Sequence, residues 1–257
     1  MMKKTAVAIV HGIGRQDKTY ADEFVMAIDR AYKKLTGKSN LVFKSICWQE
    51  EIEPIEQELY EKLKLKWMIL RSFFIGYVGD ALCYQPLSSS EAGFYDIVHK
   101  AIDRGISRLA EHVDVDSPLC IISHSLGTVV SSNFLWDIQK SNKPNLTSPA
   151  TANLTKNLKL LYTMASPLAV WSMRYPEGGT PITLDASVKW FNLYSTNDII
   201  SSPIKIINQQ YSSMSNLSDE HIKVGGLFTS WNPLSHNAYW NDRRVIDHIV
   251  SNLAKLA

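Results

Sequence analysis

Five short apolar runs constrain this chain more than any other feature. Residues 5–10, 41–48, 119–123, 158–164 and 188–194 are too dense in Val, Ile and Leu to alternate with polar positions. Strands covered on both faces read this way, and parallel strands joined by helices are the arrangement that covers both faces. Helical patterns separate most of the runs. Residues 21–35 form one. Residues 91–113 carry a stripe through Phe94, Val98, Ala101, Ile102, Ile106, Leu109 and Val113, with Ser90 expected as the N-cap. Residues 126–139 set Val129, Val130, Phe134 and Ile138 on one side, and residues 240–256 repeat Val245, Ile246, Ile249, Val250 and Leu253. Right-handed crossovers then predict a three-layer α/β sandwich around a mostly parallel sheet. A short last strand is expected at 222–224, and segments 140–157, 173–186 and 201–231 are expected as loops.

Behind the third run stands Ser123-His124-Ser125-Leu126-Gly127, so a strand meets a sharp turn and the turn meets a helix. A Ser in the middle of such a turn is a nucleophile elbow. The bend forces the central residue into a sparsely populated backbone conformation and brings the strand end against the first helical turn. The residues two before and two after it must therefore be small, as Ser123 and Gly127 are. The five-residue pattern alone would arise by chance in roughly one chain in four at average residue frequencies. The flanking strand and helix give it weight, and no other segment of the chain matches. In this reading Ser125 Oγ stands at the tip of the sheet, and the Leu126 amide at the helix N-terminus favours negative charge.

An activated Ser needs a base, and the base needs a carboxylate that orients it; after an elbow the chain order is Ser, acid, His. Downstream of Ser125 the histidines are His221, His236 and His248. His236 is the preferred base because it follows the last short strand on a loop, whereas His248 belongs to the terminal helix. Asp198 is the preferred acid because it lies just past the run 188–194, at a carboxyl end. Asp185 precedes that strand, and Asp219 and Glu220 precede the next. A second amide for an oxyanion is expected from the loop after the first strand, His11-Gly12-Ile13-Gly14-Arg15. There Ile13 is the preferred donor and Gly12 the alternate, with His11 a structural hydrogen-bonder. A nucleotide reading of Gly12 and Gly14 fails because the third glycine is replaced by Asp17.

Composition narrows the classes of function. The chain has 257 residues, 45% hydrophobic, 20% charged, with a net charge of +2, so a single domain of this size buries a full core and carries no nucleic-acid footprint. Cys47, Cys83 and Cys120 are odd in number and sit in or beside apolar runs, which suits reduced thiols in a cytoplasmic protein. The basic, apolar start imitates a signal peptide but ends too soon, and reads as the first core strand. No Cys-x-x-Cys pair and no His-Glu-x-x-His stretch occurs, so no metal and no cofactor is expected.

Val10-His-Gly-Ile-Gly14, the elbow, Trp190-x-Asn192 followed by Asp198, and Ser235-His236-x-x-Tyr239-Trp240 together resemble the α/β-hydrolase superfamily. Within it they are similar to intracellular lipase-like and esterase-like members, the kin of DDHD-type phospholipases and inositol deacylases. Two features depart from that pattern. Ser123 stands where those families usually have Gly, and the sheet begins at the strand before the His-Gly loop, without two edge strands common in the fold. The resemblance implies a serine hydrolase acting on carboxylic esters, with Ser125, Asp198 and His236 as its triad.

Residues 49–85 exceed what such a core requires, and are expected as a helical insertion within one domain spanning 1–257. The segment opens acidic and then becomes Lys62-Leu-Lys-Leu-Lys-Trp67 and an apolar stretch to Val78, too short and too interrupted to span a bilayer. Cations beside Trp67, Phe73, Phe74 and Tyr77 fit a lid over a pocket or peripheral membrane contact through 62–78, and a lipid-like ester as substrate. A cap helix packed on the core is the plainer alternative. Two other functions share these residues: a non-catalytic lipid-binding or scaffold protein, and an acyltransferase or peptidase using the same triad. The sequence leaves the oligomeric state open.

Overall fold

The computed structural model describes residues 3–12, 19–48, 84, 93–140, 144–225 and 233–256. The expected insertion 49–85, apart from Tyr84, and Ile13 lie outside the described residues, as do Ser90 and the segment 62–78 for which peripheral membrane contact is expected.

Strands β1 (Thr5–Val10), β2 (Leu41–Ile46), β3 (Leu119–His124), β4 (Leu158–Met164), β5 (Lys189–Tyr194) and β6 (Leu217–His221) form one sheet in the order β2-β1-β3-β4-β5-β6. All five pairings are parallel. Ala6, Ala8 and Val10 face one layer and Val7 and Ile9 the other, all at most 1% exposed, so β1 is buried on both sides. That is why its sequence shows no alternation. Helices α1 (Asp22–Thr36) and α7 (Arg243–Leu253) cover one face. The opposite face lies under α2 (Phe94–Ala110) and α3 (Leu126–Lys140). The expected three-layer α/β sandwich with a parallel sheet is therefore what forms.

Chain path also decides where a site belongs. From β1 the chain moves outward to β2, then returns to place β3 on the other side of β1. The strand order reverses between β1 and β3, and loops leaving those two carboxyl ends diverge to opposite faces, which opens a crevice there.

Four expectations need correction. Helix α2 starts at Phe94 with Gly93 as its N-cap, rather than at 91 with Ser90. The expected loop 140–157 contains α4 (Pro149–Thr155), whose N-cap Ser148 accepts from Thr151 N. That short, polar helix has no apolar stripe to read; it is fixed by its cap and by Asp103 of α2, which accepts from Ser148 N at 2.8 Å and Ser148 Oγ at 3.0 Å. The last strand is Leu217–His221 instead of 222–224, since a strand at the sheet edge pairs on one side and tolerates polar positions. The terminal helix begins at Arg243, capped by Asp242, and residues 233–241 before it form a 3₁₀ segment. The intervening loops also hold the short helices α5 (Leu168–Ser172) and α6 (Gln209–Ser212).

Two imidazoles are sealed where β1 and β3 end. Burial pushes His11 down to about 4 against a weaker opposing effect of its bond to Gly12, and pushes His124 down to about 3, aided by the neighbouring His236. Both are neutral in the folded protein and protonate once unfolded, so the unfolded chain binds more protons below about pH 6.5. Stability should fall as the pH drops through that value, by about 1.4 kcal/mol per pH unit for each ring. Urea midpoints at pH 7 and pH 5 test this; equal midpoints contradict the neutral buried assignment. A second prediction concerns Gly105 of α2, where a Cβ would lie 2.6 Å from Ile46 Cγ1. Gly105→Ala gains up to about 1 kcal/mol of helix propensity but costs about 1–3 through overpacking, so it should destabilise. In an Ile46→Ala background the same change should stabilise, as thermal unfolding of the four proteins will show.

Candidate active site

At the end of β3 the chain turns so sharply that Ser125 has φ +54°, a left-handed conformation unusual for a residue with a Cβ. The turn is held from both sides. Ser125 N donates to Met164 O at 2.9 Å, while Thr128 N and Thr128 Oγ1 donate to Ser125 O at 2.9 and 2.7 Å. Ser123 tucks its hydroxyl onto Tyr162 O at 2.9 Å. Gly127 has no room for a side chain, because a Cβ would collide with the His11 carbonyl.

Ser125 Oγ lies 2.7 Å from His236 Nε2, and His236 Nδ1 lies 2.9 and 3.1 Å from the two oxygens of Asp198. All three residues are buried. A carboxylate only accepts, so Nδ1 carries the imidazole proton and Nε2 its lone pair, and the Ser125 hydroxyl donates to Nε2. The chain thus brings together, from positions 125, 198 and 236, the three residues preferred from the sequence. Burial raises the Asp198 pKa, but the hydrogen bonds from His236 and Ile200 N, with the other polar groups around it, together outweigh that and leave it below the ordinary carboxylate range.

Each partner is placed by hydrogen bonds of its own. Asp198 follows β5 in a turn where its Oδ1 accepts from Ile200 N at 3.1 Å, so it is both a turn residue and the partner of His236. The longer segment behind it is pinned by Asp219 of β6, which accepts from Ile204 N at 2.8 Å, Lys205 N at 2.9 Å and Asn192 Nδ2 at 2.7 Å. Asp219 is thereby spent on the loop. Glu220 accepts from Ser218 Oγ at 2.6 Å, and Asp185 is exposed before β5. His221 is exposed at the end of β6, and His248 packs edge-on against Phe191 with its Nδ1 3.2 Å from the Tyr162 hydroxyl.

Gly12 backs directly onto the elbow: a Cβ there would collide with Ser125 Cβ and lie 3.0 Å from Ser125 Oγ. Its loop is braced by His11, whose Nδ1 donates to Gly12 O at 2.6 Å and whose Nε2 accepts from Trp48 N at 3.2 Å. The His11 ring stacks on Trp48 with centroids 4.9 Å apart, and Trp48 Nε1 donates to His11 O at 2.9 Å. Leu126 opens α3, so its N–H is one of those with no acceptor inside the helix.

Sequence reasoning passed over His124. Its Nε2 lies 2.7 Å from the main-chain carbonyl of His236, and its ring packs between His236, Tyr239 and Trp240. The signal was present: residue 124 continues the face of Cys120 and Ile122, and a polar residue there needs a partner. Among the described residues no group of His, Cys, Asp and Glu has metal-binding geometry, and no helix is long and apolar enough to cross a membrane.

No family model matches this chain, and no curated protein does. Among solved structures it is similar to an acetyl xylan esterase, at 9% identity over 100% of both chains with a TM-score of 0.43. It is also similar to an esterase from Rhizomucor miehei, at 11% identity over 99% of this chain and 75% of that one with a TM-score of 0.47. A CIB-like hydrolase from Thermoplasma acidophilum aligns at 12% identity over 98% of this chain and 87% of its own, with a TM-score of 0.42. The strand order of this chain, β2-β1-β3-β4-β5-β6 with every pairing parallel, is that of a doubly wound three-layer α/β sandwich.

Proposed function

We propose that this chain is a serine hydrolase that cleaves carboxylic esters. The observation that carries the reading is the continuous series Asp198–His236–Ser125, with hydrogen-bond distances of 2.9 and 2.7 Å, ending in a hydroxyl on a left-handed turn. Ser125 Oγ attacks the acyl carbon as its proton passes to His236 Nε2. Asp198 keeps the ring in the tautomer that presents a lone pair and stabilises the imidazolium that forms. The imidazolium then gives its proton to the departing alkoxide, leaving an acyl group on Ser125. Water, deprotonated by His236, attacks that acyl carbon; the bond to Ser125 Oγ then breaks as the imidazolium returns its proton to that oxygen, and the acid leaves. The Leu126 amide is one donor for the tetrahedral oxyanion, and the loop from Gly12 to Ile13 supplies the other.

A lipid-like or otherwise apolar ester is the substrate class we favour. A cavity of about 350 Å³ lies beside α3 and α5, with Trp136, Leu168, Trp171, Ile182 and Tyr211 among its walls. Ser132, also on its wall, stands about 10 Å along α3 from Ser125 at the rise of an α-helix. Val170 and Met173, 57% and 80% exposed, extend the apolar character outward from α5.

A fluorophosphonate should label Ser125 in the folded protein. Ser125→Ala should abolish labelling and lower kcat on 4-nitrophenyl acetate by about 10⁴-fold or more, and Asp198→Asn should cost about 10³–10⁴-fold. Because the three act as a unit, the double variant should be no worse than Ser125→Ala. Unlabelled Ser125, or an active Ser125→Ala, refutes the reading. Rates on 4-nitrophenyl esters from acetate to decanoate test the substrate class, and a profile that does not rise with chain length argues against a lipid-like acyl group.

A further inference from the structure

We infer that His124 is a positioning residue for His236, fastening the segment that carries the base to the turn that carries the nucleophile. The inference rests on the serine-hydrolase reading above.

The segment needs fastening. His236 sits on a nine-residue 3₁₀ helix, Pro233–Asn241, and a run of that length is held poorly by its own i→i+3 hydrogen bonds. Its position must come from outside. Ser235 Oγ donates to Asn197 O at 2.9 Å and Tyr239 Oη to Ser201 Oγ at 3.2 Å, and both ties run to the loop that bears Asp198. Trp240 packs edge-on against Phe24 and Tyr20 beside α1, with centroids 5.0 and 5.9 Å away. Among these ties only the one from His124 joins His236 to the elbow itself.

Its geometry suits that task. A carbonyl only accepts, so His124 Nε2 carries the proton it donates to His236 O at 2.7 Å. His124 immediately precedes Ser125, so one end of the bond is fixed by the same turn that aims Oγ. The other end is the backbone of the residue whose Nε2 must meet that Oγ. The bond closes a small ring: His124 side chain, His236 backbone, His236 side chain, Ser125 side chain and back through one peptide link. A shift of about 1 Å in a catalytic contact costs about 100-fold, so a bond that fixes both ends of the Ser125–His236 distance bears directly on rate. His124 is 3% exposed with its ring 5.0 Å from that of His236, so a charged His124 would oppose the imidazolium that must form. Its neutral state, already required by burial, removes that opposition.

The test replaces the donor while keeping or removing the bond. In His124→Gln the amide nitrogen falls near the original Nε2 and still reaches the carbonyl. His124→Phe keeps the ring and loses the donor, and His124→Asn keeps an amide too short to reach. With 4-nitrophenyl acetate at pH 8, His124→Phe and His124→Asn should lower kcat 10- to 100-fold with KM within about threefold. Fluorophosphonate labelling of Ser125 should slow by the same factor, and His124→Gln should stay within about threefold of the parent. Thermal unfolding identifies the variants that fold, and His124→Asn stands in if the Phe variant does not. Parent-like labelling rates in a folded Phe or Asn variant overturn the inference. So does a Gln variant as slow as Asn, since packing and not the donated bond would then be responsible. A parent protein that is never labelled overturns the hydrolase reading as well, which separates the two failures.

Discussion

Backbone against backbone, the loop leaving β1 and the turn leaving β3 approach until no Cβ fits between them. Gly12 faces Ser125 and Gly127 faces the His11 carbonyl, and at either glycine an added methyl would have to displace main chain. This contact is possible only because β1 and β3 are neighbours in register, Val10 beside Ser123. Everything nearby is arranged to keep it: His11 bonds across its own loop, Trp48 at the end of β2 stacks on that ring, and Thr128 and Met164 grip the elbow. The close approach comes with backbone strain at Ser125 and sets the Gly12 main chain directly against its side chain.

Much of this was legible in the residues because it obeys local rules. The interior strands declared themselves by density of Val, Ile and Leu, and the elbow by two small residues around a Ser. Asp198 and His236 followed from chain order and from lying beyond strand ends, and both stand within hydrogen-bond reach of each other and, through the ring, of Ser125. What escaped depends on partners distant in sequence. Helix α4 owes its place to Ser148 and Asp103, separated by 45 residues. Strand β6 spends its polar side chains on a neighbouring loop, so hydrophobic periodicity points past it. For His124 the sequence showed a polar residue in need of a partner but not which one, because that partner is a carbonyl 112 residues away and main-chain acceptors leave no trace in a sequence.

A division of labour between the two faces of the sheet follows. Cys120, Ile122 and His124 look toward α1, α7 and the 3₁₀ segment bearing His236, whereas Leu119 and Ile121 look toward α2 and α3. His236 therefore rests on one layer and the helix that follows Ser125 belongs to the other, and the two residues meet above the carboxyl edge. Neither layer alone holds the Ser125–His236 pair. A packing change on either side is felt there as a change in separation rather than as loss of a residue, which is how alterations far from the chemistry reach it.

Strand β6 has a consequence of another kind. Among the described residues it is an outermost strand, and a free strand edge is a template for unwanted pairing with other chains. Its sequence, Leu-Ser-Asp-Glu-His, gives a visiting chain little to bury and two carboxylates to repel it. The acidic side chain that steadies the loop behind Asp198 is thus also part of a polar border that offers a visiting chain little to bury.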